Sequence, residues 1–223
     1  MPSSVLAADI LKRNQRYIIM ATICVIASAL AAFAVDALQL YSVIQTGAYD
    51  TARFAEDAQS LIAERARTLI LVSILTAIVE ELIFRGLLLR ALLKKLSEFK
   101  TILITSAIFA VLHMIPIGAT EIDLSDPDGK NILILASISL LLKGMQAFVF
   151  GMVMAKIVMR DGSLPIVMAL HALFDAIYFA IPVLSTGNFP ETYLAASPDQ
   201  LLALAFSTLI LVPAMATHKK RIK

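Results

Sequence analysis

The stretch TLILVSILTAIVEELIFRGLLLRALL, residues 68–93, places Glu80, Glu81 and Arg85 in the middle of a long apolar run. A helix needs about 20 predominantly apolar residues to cross the hydrocarbon core of a bilayer, so this run reads as a membrane span. A charge at the centre of a bilayer costs roughly 2.5–3.5 kcal/mol on insertion scales. Three charges within six residues therefore need one another or a function, and an ionisable group inside a span is a site hypothesis by default.

The rest of the chain fits the same class. It has 223 residues, is 59% hydrophobic and only 16% charged, against about 45–50% and 25% in soluble domains. The net charge of +2 is too small to suggest nucleic acid as a partner. The one cysteine, Cys24, excludes an internal disulfide and reads as a small packing residue. Apolar runs cover residues 17–40, 68–93, 101–117, 131–159, 164–184 and 201–216. They predict an all-α, polytopic transmembrane helix bundle of about six spans, folded as a single membrane domain over 1–223. The fourth run contains Lys143 and is read as one long tilted helix, because splitting it would break the charge alternation of the loops.

That alternation sets the orientation. Lys12, Arg13 and Arg16, then Lys94, Lys95 and Lys100, then Lys156 and Arg160, then the basic tail 218–223 all fall on one side. The acidic segment with Asp50, Glu56 and Asp57, the loop with Glu121, Asp123, Asp126 and Asp128, and the loop 188–191 fall on the other. Both termini are then cytoplasmic. The polar segment 45–67 reads either as an amphipathic surface helix or as a solvated connector. The start also has features of a secretory signal, with a basic region, an apolar core and small residues around Ala32 and Ala34. Pro165 suits the first turn of the fifth helix, and Pro182 should kink or end it.

Helical spacing sorts the ionisable groups. Glu81 and Arg85 are four apart with the acid N-terminal, the favourable order for a pair, and should lock the helix. Glu80 points about 100° away, with no basic residue one turn on, so its carboxylate is left for another helix or for water. That disposition suits a general base. The third run contains FAVLH, residues 109–113, and the fifth contains HALFD, residues 171–175. At 1.5 Å per residue, Glu80 and His113 lie roughly 20 Å from the basic side, and His171 and Asp175 roughly 10–17 Å, depths compatible with one buried cluster. Asp36 and Lys143 read as interface or packing features.

The ordered set Glu80-Glu81-x-x-x-Arg85, Phe109-x-x-x-His113 and His171-x-x-x-Asp175, on successive helices over about residues 61–184, resembles the CAAX protease and bacteriocin-processing family, which includes the type 2 CAAX prenyl endopeptidases. The resemblance implies an intramembrane endopeptidase with catalytic core helices over 61–184. In it Glu80 would activate water, His113 would hold that water, and His171 with residue 175 would bind the scissile carbonyl. Glu81 and Arg85 would brace the site. The prenyl endopeptidases carry asparagine where this chain has Asp175, and an ionised aspartate cannot donate to an oxyanion. Asp175 must then be protonated, orient His171 or bind a cation. No H-E-x-x-H helix is present. Glu80, His113 and His171 would in principle make a three-ligand zinc site with an open position, but the metal-free mechanism, with no cofactor, is the favoured reading.

The partners implied are a protein or peptide substrate, lipid-anchored or membrane-spanning among the choices, and membrane lipid. The brief loops suggest a prokaryotic plasma-membrane protein. Two rival readings use the same residues. One is a non-catalytic membrane scaffold or immunity protein of the same family. The other is a proton-coupled transporter, which predicts inverted repeats that the sequence does not contain.

Overall fold

A computed structural model describes residues 3–46, 58–115, 129–161, 163–186 and 198–216. These residues are helical apart from short turns, and no strand occurs among them. Helix α1 spans Ser3–Gln45 and α2 spans Ala58–Glu81. A π-helix, Leu82–Leu88, and a short α3, Leu89–Leu93, continue α2. Then come α4 (Glu98–His113), α5 (Gly129–Asp161), α6 (Leu164–Tyr178), α7 (Ala180–Thr186) and α8 (Pro198–Ala216).

Packing follows the distribution of small residues. On α1, Tyr17, Ala21, Val25, Ala29 and Ala32 are buried and recur every three or four positions. Alanines let helix backbones approach closely, the usual device where lipid removes the hydrophobic drive between helices. This stripe faces α8, while α5 packs against α4 and α8, and α2 against α6. The opposite faces keep Ile19, Ile23, Leu38, Leu75, Leu87, Val111, Leu141 and Leu209 exposed. So many large apolar side chains on the outside mark a surface made for lipid or protein rather than water. Two helical stretches, Asn14–Gln45 and Leu133–Arg160, are long and apolar enough to cross a membrane, and 164–178 and 201–215 are shorter apolar helices. The stretch 133–160 runs through Lys143 unbroken, as the charge alternation required.

The ends of the bundle are tied by polar contacts. At one end Asn14 Nδ2 donates to the Arg160 carbonyl at 3.1 Å, and the Tyr17 hydroxyl to the Ala214 carbonyl at 3.2 Å. Arg160 covers the Tyr17 ring at 3.7 Å, and Lys156 donates to the Met215 carbonyl. The basic flanks of α1 and α5 thus meet the C-terminal end of α8. At the other end Arg65 Nη1 donates to the carbonyls of Leu184 and Ser185, at 2.9 and 2.8 Å, satisfying carbonyls that the end of α7 leaves without intrahelical donors.

Two expectations change. From Ala58 onward the polar segment is neither a surface helix nor a connector: it is the start of α2, held by Arg65. Residues 47–57, the acidic loop 121–128, the loop 188–191 and the tail 218–223 lie outside the described residues. Pro182 interrupts the fifth run, but the break falls earlier, at Phe179, and the chain resumes helix as α7. Proline has no N–H to offer the Tyr178 carbonyl. The flanking bonds survive, Phe179 N–H to Asp175 O at 2.9 Å and Val183 N–H to Phe179 O at 3.0 Å.

Candidate active site

The π-helix follows directly on Glu81. Its defining bond runs from the Leu89 N–H back to the Phe84 carbonyl, five residues away. Such bulges occur often at functional sites. Here the widened turn carries Arg85, which stays paired with Glu81: Nη1 donates to Oε1 at 2.9 Å, and both residues are buried. Arg85 Nη2 reaches the Gly151 carbonyl on α5 at 3.3 Å, and its guanidinium lies 4.6 Å from the centroid of the Phe109 ring on α4. One cation thereby touches three helices.

The same Oε1 of Glu81 accepts a second bond, from Nδ1–H of His171 on α6 at 2.9 Å. On α4, Nδ1–H of His113 donates to the Phe109 carbonyl at 2.8 Å. Both rings therefore have Nδ1 engaged as a donor and turn Nε2 toward Glu80. Glu80 Oε2 lies 3.8 Å from each of those nitrogens, beyond hydrogen-bond length. That oxygen is buried and has no hydrogen-bond partner among the described residues. The Glu80 side chain is 25% exposed and that of Glu81 is 0% exposed, so of the two adjacent acids one opens outward and the other is sealed.

Asp175 is one turn from His171, with Oδ2 3.6 Å from Nε2. It does not hold the Nδ1 side of the ring, since Glu81 does. All six ionisable residues singled out from the sequence, Glu80, Glu81, Arg85, His113, His171 and Asp175, thus stand in one connected group. Aromatic rings wall it. Phe109 packs edge-on against Phe84 at 4.9 Å and lies 4.2 Å from His113, and Phe150 meets His171 at 4.9 Å.

Beside this group is a cleft lined by Phe109, His113, Lys143, Gln146, Ala147, Phe150, His171, Phe174 and Asp175. Lys143 and Gln146 were not expected there. Lys143 is buried, and its Nζ donates to Gln146 Oε1 at 3.2 Å and lies 5.3 Å from the centroid of the Tyr178 ring. The signal was a lysine in the middle of an apolar run. The sequence does not show which way α5 turns that lysine.

The zinc alternative asked Glu80, His113 and His171 to serve as ligands. With zinc–nitrogen and zinc–oxygen bonds of about 2.0–2.2 Å, donors 3.8 Å apart would subtend a wider angle at the ion than the tetrahedral one. No group of three or more His, Cys, Asp or Glu side chains that could hold a metal ion occurs among the described residues.

No curated protein and no solved structure matches the chain. A family model does: the one described as type II CAAX prenyl endopeptidase Rce1-like matches residues 63–177, just over half of the 223 residues, from within the first turns of α2 to just past Asp175. With its three acid, histidine and histidine–aspartate elements brought together beside one cleft of an all-helical bundle, the chain belongs to this family of membrane-embedded proteases.

Proposed function

We propose that the protein is an intramembrane endopeptidase in which Glu80 activates the attacking water, acting on a membrane-tethered protein or peptide. The observation that carries this reading is the placement of Glu80 Oε2, 3.8 Å from Nε2 of both His113 and His171. Polar groups at that separation are spanned by one shared water. His113 Nε2 accepts a hydrogen bond from one of its O–H groups, which stays intact, and Glu80 takes the proton of the other. The oxygen is left free to attack a carbonyl lying in the cleft. Glu80 then gives its proton to the leaving amine, the double role of a general base and acid. Glu81 holds His171 and Arg85 and does not itself handle the transferred proton. No step is routed through a metal.

The remaining topology follows from the charges. Six spans with both termini cytoplasmic agree with the clustering of Asn14, Tyr17, Lys156 and Arg160 at one end of the bundle and Arg65 at the other. Lipid at the exposed apolar belt and a substrate entering sideways from the bilayer suit the same arrangement.

The test compares membrane proteomes of cells expressing the wild type and Glu80→Gln. New peptide termini present with the wild type and missing with the variant are expected. Their persistence with a folded Glu80→Gln protein would refute the assignment and favour a non-catalytic scaffold.

A further inference from the structure

We propose that Lys143 is an additional catalytic residue: its ammonium group hydrogen-bonds the oxygen of the scissile carbonyl as that oxygen becomes negative, with Asp175 as the ammonium's counter-charge. The inference rests on the endopeptidase reading and adds a residue to it.

The argument starts from which groups in the cleft can donate. Hydrolysis adds a water oxygen to the carbonyl carbon, and the carbonyl π-pair moves onto oxygen. That oxyanion needs N–H or O–H donors placed in advance. Nδ1–H of His113 is committed to the Phe109 carbonyl and Nδ1–H of His171 to Glu81, so in the neutral rings both Nε2 atoms are acceptors. Should His171 take a second proton, its Nε2–H faces two carboxylates, Asp175 at 3.6 Å and Glu80 at 3.8 Å, which compete for it. Asp175 as a carboxylate only accepts. Of the residues lining the cleft, the remaining side-chain donors are Lys143 and Gln146, and Gln146 Nε2 donates to Ser207 Oγ at 2.6 Å.

Lys143 is also built into place. Its Nζ donates to Gln146 Oε1, Gln146 donates to Ser207 on α8, and Ser207 Oγ lies 2.6 Å from Ser28 Oγ on α1. All four side chains are buried. This chain carries rigidity from α1 and α8, both outside the family-matched residues, to the ammonium group. Gln146, Ser207 and Ser28 act through Lys143 and are positioning residues. Lys143, His113 and Asp175 line the same cleft, so the ammonium group and the carboxylate face one space beside the water-holding histidine.

When the tetrahedral adduct collapses, its electron pair re-forms the carbonyl, the C–N bond breaks, and the amine takes the proton held by Glu80. Lys143 gives up no proton at any step. The proposal also answers the question raised by an aspartate at position 175: the cation it needs is on α5 of the same chain.

The experiment uses the full-length protein in two readouts. Cleavage is followed as the rate of appearance of those termini that Glu80→Gln abolishes. Lys143→Met is expected to slow it about 10²–10³-fold, the usual loss of an oxyanion donor. Lys143→Gln/Asp175→Asn, which restores a neutral donor without a stranded carboxylate, is expected to be faster than Lys143→Gln alone. Thermal unfolding in detergent is the second readout. Lys143→Met and Asp175→Asn should each lower the midpoint, and Lys143→Met/Asp175→Asn should melt higher than the sum of the two losses allows. Lys143→Met cleaving within twofold of the wild type, or strictly additive melting shifts, overturns the proposal. Termini that do not depend on Glu80 overturn the endopeptidase reading instead, and the melting cycle then still decides the Lys143–Asp175 pairing.

Discussion

Nδ1 of His171 lies 2.9 Å from Oε1 of Glu81, a residue 90 positions earlier in the chain, and that same oxygen receives Arg85. The contact joins the element carrying the acids to the helix carrying the second histidine. It also fixes which nitrogen of the ring faces the cleft. Two adjacent glutamates are consequently placed differently: Glu81 holds His171 and Arg85, and Glu80 Oε2 is left without a hydrogen-bond partner among the described residues.

Glu81→Ala is expected to destabilise the protein by about 3–5 kcal/mol, because it strands a buried guanidinium. Glu80→Ala removes a side chain whose Oε2 accepts no hydrogen bond among the described residues, and should move stability by less than about 1 kcal/mol. Thermal or denaturant unfolding of the two variants in the same detergent checks this. Equal losses would show that Glu81 is not the brace.

Much of this site was legible in the sequence, and the limits have physical causes. The i,i+4 spacings of Glu81–Arg85 and His171–Asp175 are local geometry, so their shared faces could be read directly. The uninterrupted α5 followed from loop charge alone. The Glu81–His171 bond could not be read, because it depends on how α2 and α6 are rotated about their own axes. The π-helix Leu82–Leu88 was equally hidden, since nothing in LIFRGLL departs from ordinary helix-forming sequence apart from Gly86. Lys143 was noticed as a charge in an apolar run but assigned to packing. Its partners, Gln146 on its own helix and the cleft beyond, become visible only once α8 and α6 are in place.

Gly151 and Gly86 offer a paired test of close helix approach. A Cβ at Gly151 would lie 3.3 Å from the Cα and Cβ of Ser106, on α4, and the backbone there cannot swing aside as a flexible side chain does. At Gly86 the nearest atom is a Leu164 methyl at 3.5 Å, ordinary contact. Replacing glycine by alanine in a helix gains up to about 1 kcal/mol from propensity. For Gly151→Ala the overpacking, about 1–3 kcal/mol, should exceed that gain and push α4, with His113, outward. Gly86→Ala should be neutral or mildly stabilising. Unfolding midpoints of both variants, together with cleavage rates, measure the difference; a Gly151→Ala variant that melts higher than the wild type would show that α4 gives way freely.

The glutamate mechanism predicts that metal removal leaves turnover intact. After dialysis of the detergent-solubilised protein against a strong chelator such as 1,10-phenanthroline, Glu80-dependent cleavage should proceed at its original rate. Elemental analysis of the dialysed protein verifies that stripping was complete. Loss of activity that returns on adding zinc, and not on adding calcium or magnesium, would instead mean that Glu80, His113 and His171 close in around an ion in solution.

Phe109 is the residue through which these parts are packed together. It is 1% exposed, it receives the Arg85 guanidinium at 4.6 Å, and its ring contacts Phe84, His113, Phe150 and His171. Its backbone carbonyl meanwhile holds Nδ1 of His113, a bond that no substitution of the side chain removes. Phe109→Leu keeps an apolar group of smaller volume and loses the ring face under Arg85. Cation–π contacts shielded from water contribute about 2 kcal/mol, and the cavity adds to that loss. The expected result is a fall in stability of about 2–4 kcal/mol, to be read from denaturant unfolding. The double variant Phe109→Leu/Arg85→Met should fall by less than the two single losses combined, because both remove the same contact. Additive losses would show that the guanidinium and the ring are neighbours without being energetically coupled.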